Sequence, residues 1–295
     1  MRFPSLLLAF LFLHSACSPQ PASDTNRISV VTSSQILADV ANVIAGDIVE
    51  IDFLIPPGSD PHSFEPTPQD AVKLEQADLI FINGFGLETT LQPLLNYQVE
   101  KLVDASEGIE PLILADEGES GSDPHVWMNP LNVKVWVDNI SAALIEIDSA
   151  NTSTYHANAD AYKTQLDELD AWANEQIGQL PEQNKAMVTD HESFAYFADH
   201  FGLEIVGVVI PGYSTLSEPS AGELADLESS IQEFGVRAIF VGVSLTQVIA
   251  ERVAQDTGIL LVPLYTESLS DANGPAPTYL DMIRYDVDAI TNALK

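Results

Sequence analysis

Residues 154–180 read TYHANADAYKTQLDELDAWANEQIGQL and form a long helical pattern in this 295-residue chain. Apolar residues recur in it every three or four positions, which predicts one buried face on a polar helix. They are Tyr155, Ala159, Tyr162, Leu166, Leu169 and Trp172. At about 1.5 Å per residue this helix would run roughly 40 Å, far enough to brace two lobes. Pro181 is expected to end it, because proline interrupts helical hydrogen bonding.

Short β-rich runs lie on both sides of the long helix. They span 28–33, 48–55, 78–83 and 101–104 before it, and 186–190, 204–209, 237–241 and 259–263 after it. Helical patterns alternate with these runs, at 35–45, from Pro68 onward behind Thr67, and at 193–201, 220–234, 246–257 and 277–293. Such alternation predicts parallel sheets. We therefore predict an α/β fold of two similar parallel-sheet lobes joined by a single long helix, with a ligand cleft between the lobes, where the carboxyl ends of the strands meet.

The N-terminus resembles a bacterial lipoprotein signal. Met1-Arg2 is a short positive start, an apolar run follows at 3–13, and small residues precede Cys17, the one cysteine of the chain. The run is too short to span a membrane. The resemblance implies lipidation of Cys17 and a location outside the cytoplasm, periplasmic or on the cell surface, held on a membrane. The alternative is a secreted protein whose cysteine lies in the discarded segment.

These patterns divide the chain into five segments. We predict a signal peptide with its lipidated cysteine at 1–17, a flexible tether at 18–27, an N-terminal lobe at 28–148, the long connecting helix at 149–182 and a C-terminal lobe at 183–295.

Composition excludes several functions. The net charge of −33, from 44 acidic and 11 basic residues, argues against nucleic acid as a partner, because binding phosphates needs a basic patch. A single cysteine excludes an internal disulfide and a thiolate-cluster metal site. Two interpretations of the acidic excess stay open: attraction of cations, and a solvated surface suited to a salty habitat.

Four loops that follow predicted strands carry metal-ligand side chains. Two contain the sequence Asp-Pro-His, ending at His62 and at His125, and proline stiffens the backbone before each imidazole. His191 follows the strand AMVTD, and Glu267 follows the last predicted strand. Three imidazoles and a carboxylate suit Zn²⁺, with Mn²⁺ and Fe²⁺ as alternatives.

The chain resembles the metal-binding lipoproteins of bacterial ABC importers for zinc and manganese, the cluster A-I or cluster 9 solute-binding proteins. The matching segments lie in family order over nearly the whole mature chain. They are DPHSFEPTP at 60–68, NGFGLE at 83–88, DPHVWMNP at 123–130, TDHESFAYFADHFGL at 189–203, LYTESLS at 264–270 and GPAPTYLDMIR at 274–284.

The resemblance implies a function and a ligand set. The protein would be a monomeric binding protein rather than an enzyme, and would deliver metal to an ABC-type membrane permease. His62 and His125 would supply ligands from the first lobe, and His191 and Glu267 from the second. Manganese members usually have Glu as the third ligand, so His191 favours zinc, with manganese as the alternative.

Two rival functions would use the same residues. An extracellular zinc hydrolase would need an open coordination position for an activated water. A surface adhesin would hold the metal only as a structural element. For any histidine site, affinity should fall as the pH drops through the histidine range near about 6.5.

Overall fold

A computed structural model describes residues 27–112, 121–245 and 247–295 of the chain. The predicted signal peptide, the lipidation site Cys17 and most of the predicted tether therefore lie outside the described residues. None of the helices in the described part is both long and apolar enough to span a membrane.

The first lobe is built on a parallel sheet of four strands in the order β2-β1-β3-β4. Its strands are β1 Ser29–Thr32, β2 Glu50–Phe53, β3 Leu79–Ile82 and β4 Leu102–Asp104, and its helices are α1 Gln35–Ala45, α2 Pro68–Gln76, α3 Gln92–Leu95 and α4 Pro130–Ile147. Helix α2 starts as predicted, because the Asp70 carboxylate accepts hydrogen bonds from Thr67 N at 2.7 Å and Thr67 Oγ1 at 2.8 Å.

The second lobe repeats this arrangement, with four parallel strands in the order β6-β5-β7-β8. Its strands are β5 Ala186–Thr189, β6 Glu204–Val208, β7 Ala238–Gly242 and β8 Leu260–Leu264, and its helices are α6 Ala195–Phe201, α7 Ala221–Phe234, α8 Val248–Thr257 and α9 Tyr279–Leu294. The two matching parallel sheets confirm the predicted fold class.

Helix α5, Thr152–Gly178, connects the lobes and has 27 residues. It packs against α1 and α4 of the first lobe and against α6 and α9 of the second. Its buried face follows the predicted spacing up to Leu169 and then continues through Ala173 rather than Trp172. Trp172 is only half-buried and its ring stacks under the Arg284 guanidinium at 5.1 Å. Trp172 also packs against the same hydrophobic core, so it lies at the edge of the predicted apolar face.

One hydrophobic core extends through both lobes. It joins inward-facing strand residues such as Phe81 and Phe240 to the buried faces of α1, α4, α5 and α9. The outer faces of the two sheets pack into separate, smaller cores. Because the shared core ties the lobes to α5, we expect a stiff molecule in which relative lobe motion is small.

Candidate metal centre

The carboxyl ends of both sheets face a common cleft, and four titratable side chains meet there. His62 lies between β2 and α2, and His125 between β4 and α4. From the second lobe, His191 follows β5 and Glu267 follows β8. One potential ligand atom from each of these residues lies within 4.8 Å of the others. The structure thus brings together all four predicted metal ligands, two from each lobe.

The spacing of these atoms matches a compact coordination shell. His125 Nε2 lies 3.2 Å from His62 Nε2 and 3.3 Å from His191 Nε2. Glu267 Oε1 lies 3.1 Å from His62 Nε2, 3.3 Å from His191 Nε2 and 3.7 Å from His125 Nε2. Ligands about 2.0–2.1 Å from a central ion are about 3.3–3.4 Å apart when arranged as a tetrahedron. The four groups therefore leave room for one ion among them.

The centre is almost closed to solvent. His125 and His191 are fully buried, Glu267 is 5% exposed, and His62 is the most accessible at 9%. His62 also lines a cavity of 260 Å³, together with Phe85, Pro124 and Tyr213. The lining comes from both lobes, and of the four candidate ligands His62 is the one that borders this cavity.

Two of the three imidazoles are oriented by a carboxylate. Asp123 Oδ1 accepts a hydrogen bond from His125 Nδ1 at 2.8 Å, and Asp190 Oδ1 accepts one from His191 Nδ1 at 2.9 Å. An ionised carboxylate only accepts hydrogen bonds, so each Nδ1 donates to its aspartate; in the neutral ring that binds a metal, Nε2 would then present its lone pair to the centre. Such pairs orient the ring and increase its basicity as a ligand.

The two Asp-Pro-His turns differ in this respect. In both, the aspartate accepts a hydrogen bond from the backbone N–H of the histidine, at 2.8 Å in each case. Asp123 also holds the ring of His125, whereas Asp60 accepts hydrogen bonds from Ser63 Oγ at 2.7 Å and Thr215 Oγ1 at 2.6 Å. Asp60 therefore fixes its own turn and connects it to the second lobe.

The carboxylates of the cluster raise the proton affinity of two of its histidines. Burial opposes charge on His191, but the Asp190 and Glu267 carboxylates outweigh it and raise the pKa of His191 to about 10. Burial also opposes charge on His125, and Asp123 with Glu267 raises its pKa. Burial favours neutral Glu267, yet the three histidines hold its pKa well below the ordinary value. A metal cation would replace the protons that this geometry attracts.

Further hydrogen bonds cross the cleft around the centre. Trp127 Nε1 donates to Thr266 O at 2.7 Å, beside Glu267. Gly58 N donates to Ser268 Oγ at 2.7 Å. Together with the bond from Thr215 to Asp60, these contacts hold the ligand loops of one lobe against those of the other.

Three supporting residues were not recognised as such from the sequence. Asp190 directly precedes His191, and this adjacency is a usable signal, because a carboxylate often accepts the second ring N–H of a ligand histidine. Asn83 holds the turn before His125, since its Nδ2 donates to Pro124 O at 2.9 Å. Ser244 Oγ donates to Glu267 Oε2 at 3.3 Å, and nothing local in the sequence indicates this contact.

Comparisons with known proteins agree with one another. The model of the family described as ZnuA, zinc-uptake complex component A periplasmic, matches residues 30–293. The metal ABC transporter substrate-binding lipoprotein SsaB of Streptococcus sanguinis is 34% identical, over 100% of this chain and 98% of its own. The manganese-binding lipoprotein MntA of Halalkalibacterium halodurans is 30% identical, over 99% and 98%. The solved periplasmic zinc-binding protein TroA from Treponema pallidum has a TM-score of 0.85 and 30% identity, covering 91% of this chain and 99% of that one.

Proposed function

Because this chain belongs to the ZnuA family, the zinc-uptake complex component A proteins, we propose that it captures one divalent metal ion and delivers it to an ABC-type membrane permease. The ion would be held by His62, His125, His191 and Glu267. The observation that carries this proposal is the convergence of these four side chains, two from each lobe, within 4.8 Å in a buried cleft.

Zinc is the metal that this ligand set suits best. Zn²⁺ favours four ligands in a tetrahedron and accepts imidazole nitrogen readily. Three Nε2 atoms and one carboxylate oxygen stand at separations of 3.1 to 3.7 Å in the measured pairs. With four protein ligands in place, no position would remain for an activated water. This supports binding and transport rather than hydrolysis.

Manganese is the second candidate, and one observation favours it. A relative that aligns over 99% of the chain is named a manganese-binding lipoprotein. Mn²⁺ prefers oxygen ligands and more than four of them. In this centre, Glu267 Oε2 could supply an additional oxygen ligand, because it belongs to the same carboxylate as the Oε1 that faces the three histidines.

The proposed place of action is the outer surface of a membrane. Two relatives that align over nearly the whole chain are named lipoproteins, and one of them is named an ABC transporter substrate-binding lipoprotein. Lipidation at Cys17 would hold this protein beside its permease, and the folded part would act as a monomer. Loosening of the contacts across the cleft would separate the two ligand pairs and release the ion to the permease.

A competitive metal titration tests the proposal. The metal-stripped protein is titrated with Zn²⁺ and Mn²⁺ against calibrated chelators, alongside His191→Ala and a matched control, His156→Ala, which removes an exposed imidazole from α5. We expect one tight zinc ion per chain, great weakening in His191→Ala and no change in His156→Ala. A manganese preference would keep the transport function and replace the metal. Absence of stoichiometric binding for either metal would refute the proposal.

The rival functions give different results in the same preparation. A zinc hydrolase would turn over an ester or peptide and keep activity in Glu267→Ala while losing it in His62→Ala. An adhesin with a structural metal would unfold broadly when the metal is removed. For the importer component we expect no turnover, and retained secondary structure by circular dichroism after metal removal.

A further inference from the structure

The two carboxylate oxygens of Glu267 have different surroundings. Oε1 faces the three imidazoles, at 3.1 Å from His62 Nε2 and 3.3 Å from His191 Nε2. Oε2 turns toward the loop after β7, where it accepts the hydroxyl hydrogen bond of Ser244 at 3.3 Å. One oxygen is therefore directed at the centre and the other is engaged by a neighbouring side chain.

Ser244 is held in place by the sheet that also carries the ligands. It follows the end of β7, where Val243 N donates to Leu264 O at 2.9 Å and Leu245 N donates to Gly242 O at 3.2 Å. The end of β7 lies close to the segment after β8, since a Cβ on Gly242 would meet Thr266 Oγ1 at 2.6 Å. The register of β7 on β8 thus sets Ser244 beside Glu267.

Denticity of a carboxylate controls which metal a site prefers. When a metal is bound by three imidazoles and by one oxygen of a carboxylate, its shell is four-coordinate, which Zn²⁺ favours. If both oxygens bind, the shell becomes five-coordinate and richer in oxygen, which suits Mn²⁺ better. A hydroxyl that donates to Oε2 competes with a metal for that oxygen.

We propose that Ser244 determines metal preference by holding Glu267 to one-oxygen binding. The inference rests on the proposed function, because it concerns the metal captured at the same centre. Ser244 is a positioning residue, since it acts on the ion through Glu267 and makes no metal contact of its own. Its hydroxyl would favour zinc over manganese without changing the four ligand residues.

The test compares Ser244→Ala, which removes the hydroxyl, with Ser244→Thr, which retains one. Ser214→Ala is the matched control, because Ser214 lines the cavity beside His62 and its Oγ accepts a hydrogen bond from Leu216 N at 3.3 Å rather than one from a candidate ligand. Affinities for Zn²⁺ and Mn²⁺ are measured by chelator competition. X-ray absorption spectra of each loaded protein report the number of oxygen neighbours around the metal.

We expect Ser244→Ala to raise the ratio of manganese to zinc affinity by about 10-fold, the lower end of the effect of residues that orient ligands. The spectra should gain one oxygen neighbour for manganese, while Ser244→Thr and Ser214→Ala keep the original ratio. Equal changes in both affinities, or an unchanged ratio and spectrum, would overturn the role of Ser244. If the unaltered protein bound neither metal, the proposed function itself would fail, so the two failures are distinct.

Discussion

Replacing Asp123 with asparagine tests how much the centre depends on the carboxylate behind His125. Asp123 Oδ1 lies 2.8 Å from His125 Nδ1, and both side chains are fully buried. Asparagine has nearly the same size and keeps an acceptor oxygen. The variant therefore removes the charge while the ring can retain its orientation.

The size of the effect follows from distance. A metal bound at His125 Nε2 would lie about 6–7 Å from the Asp123 carboxylate, on the far side of the ring. At an effective dielectric constant of about 20, one charge at that distance from a divalent cation is worth about 5 kcal/mol, which is an upper bound. Residues that orient metal ligands usually contribute 10- to 100-fold in affinity, or about 1.4–2.7 kcal/mol. We expect a loss of zinc affinity within that range.

The assay is chelator competition at fixed pH, with Asp60→Asn as the matched control from the other Asp-Pro-His turn. Asp60 contacts the backbone N–H of His62 and the hydroxyls of Ser63 and Thr215, so its loss should reduce affinity less. Asp123 Oδ2 is buried and has no hydrogen-bond partner among the described residues, so an asparagine amide at this position could also be unpaired and destabilising. Urea denaturation therefore verifies that both variants are folded at the assay temperature. Equal losses in the two variants would refute the role assigned to Asp123.

Three further predictions concern release, protons and stability. Thr215→Val removes the 2.6 Å hydrogen bond to Asp60 across the cleft and should speed metal dissociation about 10-fold. Stopped-flow transfer of the metal to a chelator measures this rate, and an unchanged rate would contradict the prediction. Zinc affinity should fall as pH decreases, and the fall should begin above the ordinary histidine range because the pKa values of His125 and His191 are raised. A zinc affinity that stays constant from pH 8 to about 5.5 would rule out histidine ligation. Burial raises the pKa of Glu88 from 4.5 to about 7, so the stability that protonated Glu88 contributes is fully present below pH 4.5 and is lost as the pH rises through about 7. Relative to Glu88→Gln, the metal-free protein should lose up to about 3 kcal/mol of unfolding free energy over this range, measured by urea denaturation.

The fold could be predicted because its signals are local. Most strands are short apolar runs, and glycines at 202, 235 and 258 end α6, α7 and α8 with positive φ angles of 71°, 64° and 77°. Helix α4 is not among the predicted elements, although Asn129 and Pro130 supply an N-cap and a first-turn proline. The first half of α4 reads PLNVKVWV, and its alternating β-branched valines are more typical of a strand than of a helix.

The candidate ligands could be predicted for a related reason. Parallel strands bring all loops after their carboxyl ends to one edge, so residues far apart in sequence become neighbours there. The contacts that tune these ligands could not be predicted in the same way. Ser244 reaches Glu267 across 23 positions of sequence, through the register of β7 on β8, and Thr215 reaches Asp60 across 155 positions, through the docking of the two lobes.

A crystal structure of the zinc-loaded protein, with anomalous diffraction recorded on both sides of the zinc absorption edge, tests the central claim most directly. We predict a single anomalous peak in the cleft, about 2.0–2.1 Å from the Nε2 atoms of His62, His125 and His191 and from Oε1 of Glu267. A peak elsewhere on the molecule, or one at this place with any of these four side chains turned away, would contradict the assignment of the site.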